Sequence, residues 1–331
     1  MIITRTPYRI SFFGGGTDHP LWYEKNGGAV LSASINKYCY ITCRYLPPFF
    51  KHKHRIVYSE QENVNHINEI DHPSVRESMR YAGIKRGLEI HHDGDLPAMS
   101  GLGSSSSFTV GLLHALYGLG GKVTNKRQLA LDAIHVEQNM IKENVGSQDQ
   151  TIAAFGGLNK IEFGGTSGIS VTPIAISTER LNAFQNHLLL FFTDFSRKAS
   201  DIEAEKLKKF KDRNKELQAM TAMVDEGVNI LKGRQNLNDF GKFLNEGWKL
   251  KRSLASVVST NKIDGIYETG IKAGAIGGKL LGAGGGGFML FFAPPERHKK
   301  IKEKLKNFLH VPIRIEYLGS QIIYYSPQDF K

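Results

Sequence analysis

A chain of 331 residues is long enough to bury two cores of ordinary domain size. Its 43 Lys+Arg against 32 Asp+Glu leave a formal charge of +11, which by itself suits nucleic acid, an anionic membrane or phosphorylated small molecules equally. The basic residues are scattered without a nucleic-acid-binding motif, no apolar run is long enough to span a membrane, and MIITRTPYRI lacks the apolar core and cleavage site of a signal peptide, so neither nucleic acid nor a membrane is expected as a partner. A cytoplasmic protein that binds small phosphorylated molecules is the expectation that remains, and composition leaves monomer or homodimer open.

In chain order, residues 2–13 read as an extended segment in which Pro7 marks an edge or a bend, and Gly14 to Gly16 end it. Asp18 then sits in a tight turn ahead of a short helix around Trp22. Ala29–Ile35 and Tyr38–Leu46 read as two strands joined by Asn36-Lys37. Cys39 and Cys43 share one face of the second strand but lie about 13 Å apart at ~3.3 Å per residue, too far for a disulfide or a shared metal, and read as buried thiols. KHKHR at 51–55 reads as a solvated loop or strand end. A helix is expected from Pro73 to Lys85, with Ser74 and Glu77 at capping-box spacing. LEIHHDGDLP then alternates as a strand, on which the adjacent His91 and His92 face opposite ways and could not serve one ion in the usual manner.

That strand runs into PAMSGLGSSSSFTVGLL, residues 97–113, the stretch around which the chain is organised. Gly101, Leu102 and Gly103 supply a flexible turn, Ser104, Ser105, Ser106 and Ser107 supply four hydroxyls, and the apolar run from Phe108 reads as a helix. Backbone N–H groups freed by glycine, together with the positive end of a helix, suit a phosphate. The loop lacks the lysine of a Walker sequence, so its cation must come from elsewhere. Two further glycine-bearing segments, Pro7–Asp18 and Lys279–Phe292, are expected to join the same site.

Beyond the loop helix, Thr124-Asn125 can cap a second helix with Leu129, Ala133, Val136 and Met140 at helical spacing, and Glu137 falls at the margin of that apolar stripe. Gly146 breaks the pattern, and Asp149 precedes a short apolar helix, where its type alone suggests an N-cap. GLNKIEF, ISVTPI and the buried HLLLFF read as strands, and a first domain, 1–180, closes there. In the second domain, 181–331, helices are expected over 199–232, 237–257, 262–273 and 296–309, with strands in FMLFFA, VPIRIEYL and QIIYYS. Gly282, Gly284 and Gly287 match GxGxxG literally, but a strand pattern follows where a dinucleotide site needs a helix. The mixture is α+β.

PYRISFFGGGTD, PAMSGLGSSSS and GKLLGAGGGGF, in this order and spacing, resemble the three motifs of the kinase superfamily named after galactokinase, homoserine kinase, mevalonate kinase and phosphomevalonate kinase. The match spans nearly the whole chain. GGGTD, SGLGSSSS and GSQDQ together are most similar to the branch that phosphorylates the anomeric oxygen of D-glycero-D-manno-heptose 7-phosphate, with fucokinase-like domains as the alternative and a non-catalytic sugar and ATP sensor as a further one. The resemblance implies a two-domain fold, an N-terminal α/β domain and a C-terminal ferredoxin-like one, with the active site between them. It also implies ATP and Mg²⁺, the nucleotide phosphates on residues 101–107, and the metal on Ser105 and Glu137. By the same resemblance Asp149 and Arg9 are catalytic and Asp18, with Thr17 and Gly16, holds the sugar. Where galactokinases carry Glu-His, this chain has Gly15-Gly16, which removes two polar side chains and leaves room for a different or larger sugar. For the substrate phosphate the candidates are Arg197 above all, then Lys198, Arg44, the KHKHR segment and the amides of Gly284 to Gly286.

Overall fold

The computed structural model describes residues 1–98, 100–166, 168–193, 213–233 and 235–326. Among these, two sheets carry the architecture. The larger is built on β1 (Ile2–Phe13) and β2 (Gly28–Tyr45), joined by α1 (Pro20–Asn26). β2 is one strand of 18 residues rather than two. Its pairing with β1 jumps from Pro7↔Tyr38 to Tyr8↔Ile35, so Asn36-Lys37 forms a bulge opposite a proline that has no N–H to give the ladder. An isolated pair of polar residues looks like a turn. Here the neighbouring strand decides.

β3 (His54–Val57), β4 (Gln61–Val64) and β5 (Leu88–Gly94) extend this sheet on one side, while β6 (Leu158–Phe163) and β7 (Ile169–Pro173) continue it from the other half of β2. Cys39 and Cys43 are buried free thiols on β2, as their spacing implies. α2 (Pro73–Tyr81) is capped by His72, whose Nδ1 accepts from Val75 N at 3.4 Å. Glu77 binds Arg76 and Arg80 instead of closing a capping box with Ser74.

α3 (Ser104–Leu119) lies on β1 and β2 and is buried from Ser106 to Leu113 without interruption. α4 (Lys126–His135), capped by Asn125 Oδ1 accepting from Gln128 N at 2.8 Å, widens into a π-helical turn at Val136–Ile141, and α5 (Gln148–Phe155) packs against both α3 and α4. After α6 (Thr178–Asn186), β8 (Leu188–Phe192) pairs with β10 (Phe288–Phe292) and β11 (Leu309–Val311), and β10 pairs with β9 (Gly277–Leu280), giving the smaller antiparallel sheet β11-β8-β10-β9. Helices at Asn214–Lys232, Asn238–Leu254, Asn261–Ala273 and His298–Lys304 accompany it.

VPIRIEYL is not the strand its composition suggests. Only its first residue belongs to β11, and the rest follows an irregular path held by single contacts such as Ile35↔Ile315 and Ile315 N donating to Gln185 Oε1. β12 (Gln321–Tyr325) then pairs with β1, returning the chain to the larger sheet.

The two sheets are joined by packing. Phe12 from β1 meets Phe184 and Phe240 edge-on at centroid distances of 5.4 and 5.5 Å, and Phe240 also packs on Phe292 of β10. Such aromatic pairs add about 0.5–1.5 kcal/mol each beyond the area they bury. The end of β1 is thereby held in place, and with it the loop that follows. No helix among the described residues is long and apolar enough to cross a membrane.

Candidate active site

The three glycine-bearing segments meet around one cavity of about 670 Å³. α3 begins at Ser104, four residues before its apolar run, because Gly103 at φ 75° turns the chain into the helix. A side chain at that position would also press on Arg9 Cγ and Asp149 Oδ2 at 3.2 and 3.3 Å. The first intrahelical bond runs from Ser107 N to Gly103 O, so the amides of Ser104, Ser105 and Ser106 belong to the turn that a helix leaves without internal acceptors. Ser104, Ser105 and Ser106 line the cavity. Leu102 and Ser107 do not: Leu102 is fully buried and its carbonyl accepts from Arg9 N, while Ser107 Oγ donates to Pro7 O at 2.9 Å. Both fasten the loop to β1.

Arg9, 4% exposed, grips Asp149 with both arms: Nε donates to Oδ1 at 2.7 Å and Nη2 to Oδ2 at 2.6 Å, while Nη1 donates to Gly101 O at 2.6 Å. A bidentate, charge-assisted pair of this kind is strong and fixes direction as well as distance. Asp149 stands in the first turn of α5, and Ser147 occupies the N-cap position that residue type alone had suggested for Asp149. Asp18 is buried on the same wall, accepting from Gly16 N at 2.8 Å and Gln148 N at 3.2 Å. Gly16 lines the cavity beside it. Thr17 does not, since its hydroxyl lies 2.8 Å from Gly14 O and 2.9 Å from Ala29 O and ties the loop to β2.

Glu137 is fully buried, not marginal. Ser106 Oγ, rather than Ser105, donates to its Oε2 at 2.9 Å, and Gln150 Nε2 donates to the same oxygen. A carboxylate so paired is invisible to hydropathy, because its partners come from α3 and α5. Its other oxygen, Oε1, is buried without a hydrogen-bond partner, as are Ser11 Oγ and Gln148 Oε1 on the cavity wall. Orphaned polar atoms of this kind mark places where a ligand completes the structure. Glu137 does not itself line the cavity, but it lies directly behind Ser106, which does, and a carboxylate oxygen with these serine hydroxyls is the hard-oxygen chemistry that suits Mg²⁺, which takes one or two protein ligands and completes its shell with phosphate and water.

Burial, and secondarily the charge of Glu143, push the Glu137 carboxyl up to about 7. Between about pH 4.5 and 7 the folded protein therefore keeps a proton that the unfolded chain releases. Stability falls as pH rises through that window, by about 3 kcal/mol in all, and below it the effect vanishes. Glu137→Gln keeps an acceptor for Ser106 and Gln150 and removes the titration. In thermal melts of the ligand-free protein, the variant is expected to gain on the wild type by about 3 kcal/mol between pH 4.5 and pH 8. An equal difference between the two proteins at both pH values would contradict the burial of this carboxylate.

Other expected positions fall elsewhere. Arg44 and Arg55 are engaged with Glu89, and the KHKHR segment lies outside the cavity lining. Gly284 and Gly285 do not line the cavity either: a side chain on Gly284 would meet Val258, and Gly285 N donates to Val258 O at 3.0 Å. That loop presents Gly282 and Ala283 instead. Arg197 and Lys198 lie outside the described residues.

Residue-type reasoning passed over Lys251, Lys279, Ser11, Gln148 and Glu143, all of which line the cavity. Lys251 did leave a signal. It falls three residues after the buried Trp248 and seven after the buried Leu244, on the apolar face of its helix, where a lysine needs a reason.

Comparison with known proteins follows the same lines. Residues 71–157 match the N-terminal domain of the GHMP kinases and residues 228–311 match the GHMP kinase C-terminal domain. The D-glycero-alpha-D-manno-heptose 7-phosphate kinase of Campylobacter jejuni is 30% identical over 316 residues, covering 92% of this chain and 93% of its own. The bifunctional fucokinase/GDP-fucose pyrophosphorylase of Arabidopsis thaliana is 23% identical, covering 93% of this chain but 31% of its own. Among solved structures, a D-glycero-D-manno-heptose 1-phosphate kinase from Bacteroides thetaiotaomicron superposes with a TM-score of 0.79 at 22% identity, covering 98% of this chain and all of that one.

Proposed function

The chain belongs to the GHMP kinases, phosphotransferases with an alcohol acceptor, and from that premise we propose that it transfers the γ-phosphoryl group of ATP to the anomeric oxygen of D-glycero-D-manno-heptose 7-phosphate. The product, a 1,7-bisphosphate, would feed nucleotide-activated heptose for surface polysaccharide. The observation that carries the reading is the Arg9–Asp149 pair, set between the N-terminus of α3 and Asp18 in one cavity. The domains are taken as 1–180 and 181–331, with β12 crossing back to the first sheet.

In this mechanism Gly101, Gly103, Ser104, Ser105 and Ser106 hold the triphosphate through their amides and hydroxyls, and Leu102 and Ser107 hold the loop. Ser105 and Glu137 would hold Mg²⁺, with Ser106 orienting the carboxylate, and the ion would supply neutralisation of charge on the phosphate oxygens. Asp18 and Gly16 fix the sugar. Asp149 orients the acceptor hydroxyl towards phosphorus. As the new P–O bond forms and the bond to ADP breaks, the hydroxyl proton passes to Asp149 and then to solvent. A carboxylate is a weak base towards a resting alcohol, but in a loose phosphoryl-transfer transition state that proton leaves late. The Arg9 guanidinium fixes the direction of the carboxylate and adds positive charge beside the moving phosphoryl group.

ADP release with Mg·ATP is the test, across D-glycero-D-manno-heptose 7-phosphate, mannose 6-phosphate, sedoheptulose 7-phosphate, L-fucose, galactose and mevalonate. The heptose phosphate is expected to give the highest kcat/KM. Turnover confined to unphosphorylated sugars would overturn the acceptor and favour a fucokinase-like enzyme, and ATP binding without turnover on any of them would favour a sensor.

A further inference from the structure

Of the three glycines that follow β1, two are required by the protein itself and one is not. Gly14, at φ 81°, is packed so closely that a side chain would begin 1.9 Å from Ala29 O. Gly16 has open space around it, but its φ of 107° is one that other residues rarely adopt. Gly15 has neither constraint. Its φ lies outside the left-handed region, and a Cβ there would meet only Ser11 Oγ at 3.4 Å and Gln148 Nε2 at 3.7 Å, ordinary contact distances. Gly15 lines the cavity, so its missing side chain relieves nothing in the chain and leaves room on the ligand's side instead. Glycine placed in this way lets a bound molecule approach the main chain.

The two side chains beside that room are the second observation. Ser11, 6% exposed, comes from β1, and Gln148, 8% exposed, comes from the first turn of α5. Both line the cavity, and among the described residues neither Ser11 Oγ nor Gln148 Oε1 has a hydrogen-bond partner although both atoms are buried. An unpaired buried polar atom weakens the fold, so two of them flanking one point of a cavity wall point to a ligand that pairs with them. A single hydroxyl serves both, since it donates to the Gln148 side-chain oxygen and accepts from the Ser11 hydroxyl. The location is that of the acceptor in the mechanism above: Gly16 N and Gln148 N both donate to Asp18, and Asp149 follows Gln148 in the chain.

Resting on the kinase reading above, we propose that the acceptor sugar lies against Gly15 and that one of its hydroxyls pairs with Ser11 Oγ and Gln148 Oε1. The three are specificity-determining residues, Gly15 by the room it leaves and Ser11 and Gln148 by the hydroxyl they recognise. Binding is thereby set against stability. The same unpaired atoms that weaken the free protein tighten the complex.

Gly15→Ala, Ser11→Ala and Gln148→Met test this by calorimetric titration and kinetics with ATP and D-glycero-D-manno-heptose 7-phosphate, beside thermal melts of the ligand-free proteins. Gly15→Ala and Ser11→Ala are expected to melt at or above the wild-type temperature, because alanine fits at 15 and restricts the unfolded chain, and the other change removes an unpaired atom. All three are expected to raise Kd and KM for the heptose phosphate by roughly 10-fold, with KM for ATP unchanged. A lower melting temperature for Gly15→Ala with equal losses for both substrates would make the glycine structural and overturn the proposal. Wild-type affinity for the sugar in all three variants, or a loss confined to ATP, would overturn it too. Wild type that binds both ligands and releases no ADP would overturn the kinase reading, and the binding comparison would still decide the three residues. Wild type without affinity for the heptose phosphate would overturn that acceptor, and the comparison is then made on whichever sugar of the panel it phosphorylates.

Discussion

Asp149→Ala is expected to lower kcat by about 10³-fold while the protein still folds and still binds ATP. The carboxylate is held at the cavity by two hydrogen bonds from a buried guanidinium, and it stands one residue from Gln148, whose backbone N–H binds Asp18. In the proposed mechanism it orients the acceptor oxygen and takes its proton. Without it, alignment and proton acceptance are lost together, while the nucleotide contacts at the start of α3 remain. Removing Asp149 also leaves Arg9, 4% exposed, with its Gly101 contact but without its carboxylate, so the melting temperature is expected to fall. Asp149→Asn separates the two effects, since it keeps an acceptor for Arg9 and loses the base. ADP release by either variant at the wild-type rate on the full substrate would remove Asp149 from the mechanism.

The second large effect is expected at Gly282. At φ 71° it already occupies a conformation that other residues adopt at a cost of roughly 1–2 kcal/mol, and a Cβ there would lie 2.4 Å from Gly101 Cα. The clash is with backbone, which cannot swing aside as a side chain does. Gly282→Ala must therefore separate the second and third glycine segments. Gly101 O holds Arg9 Nη1 and Gly282 O holds Lys251 Nζ, so the displacement reaches two side chains that line the cavity. A shift of about 1 Å at a reacting centre can cost on the order of 100-fold, and a fall of that size in kcat/KM is expected for Gly282→Ala, with KM for both substrates altered. Wild-type kinetics in this variant would mean that the apposition of the two loops has no part in the reaction.

That apposition was legible in the sequence only as a juxtaposition of motifs. Three separated segments rich in glycine pointed to one ligand, and they do meet around one cavity. Local pattern served well where one face of an element decides, as at β10, whose apolar strand character rightly argued against a dinucleotide fingerprint at Gly282–Gly287. It failed where a partner distant in sequence decides. Asn36-Lys37 became a bulge because Pro7 and Tyr8 on β1 set the register. Glu137 became a core residue because Ser106 and Gln150 satisfy one of its oxygens. Ser74 lost the capping position to His72 two residues earlier, and VPIRIEYL lost its strand because its register partners lie in scattered segments.

The cations of the site show the same division. Arg9 could be named from its motif. Lys279 stood inside the third motif, overshadowed by the glycines that follow it. Lys251 looked like one basic residue among several in WKLKRS, although Lys249 is exposed and Lys251 is 6% exposed. Only the helical spacing from Leu244 and Trp248 distinguishes them. A basic residue on the apolar stripe of a helix carries more information than a basic cluster on its solvated face.

The most direct test of the account is phosphorus NMR of the product formed from ATP, Mg²⁺ and D-glycero-D-manno-heptose 7-phosphate. A second phosphomonoester whose phosphorus couples to the anomeric proton, appearing in step with ADP, is the expected result. A phosphate on any other oxygen, or ADP and inorganic phosphate with the sugar unchanged, would contradict it.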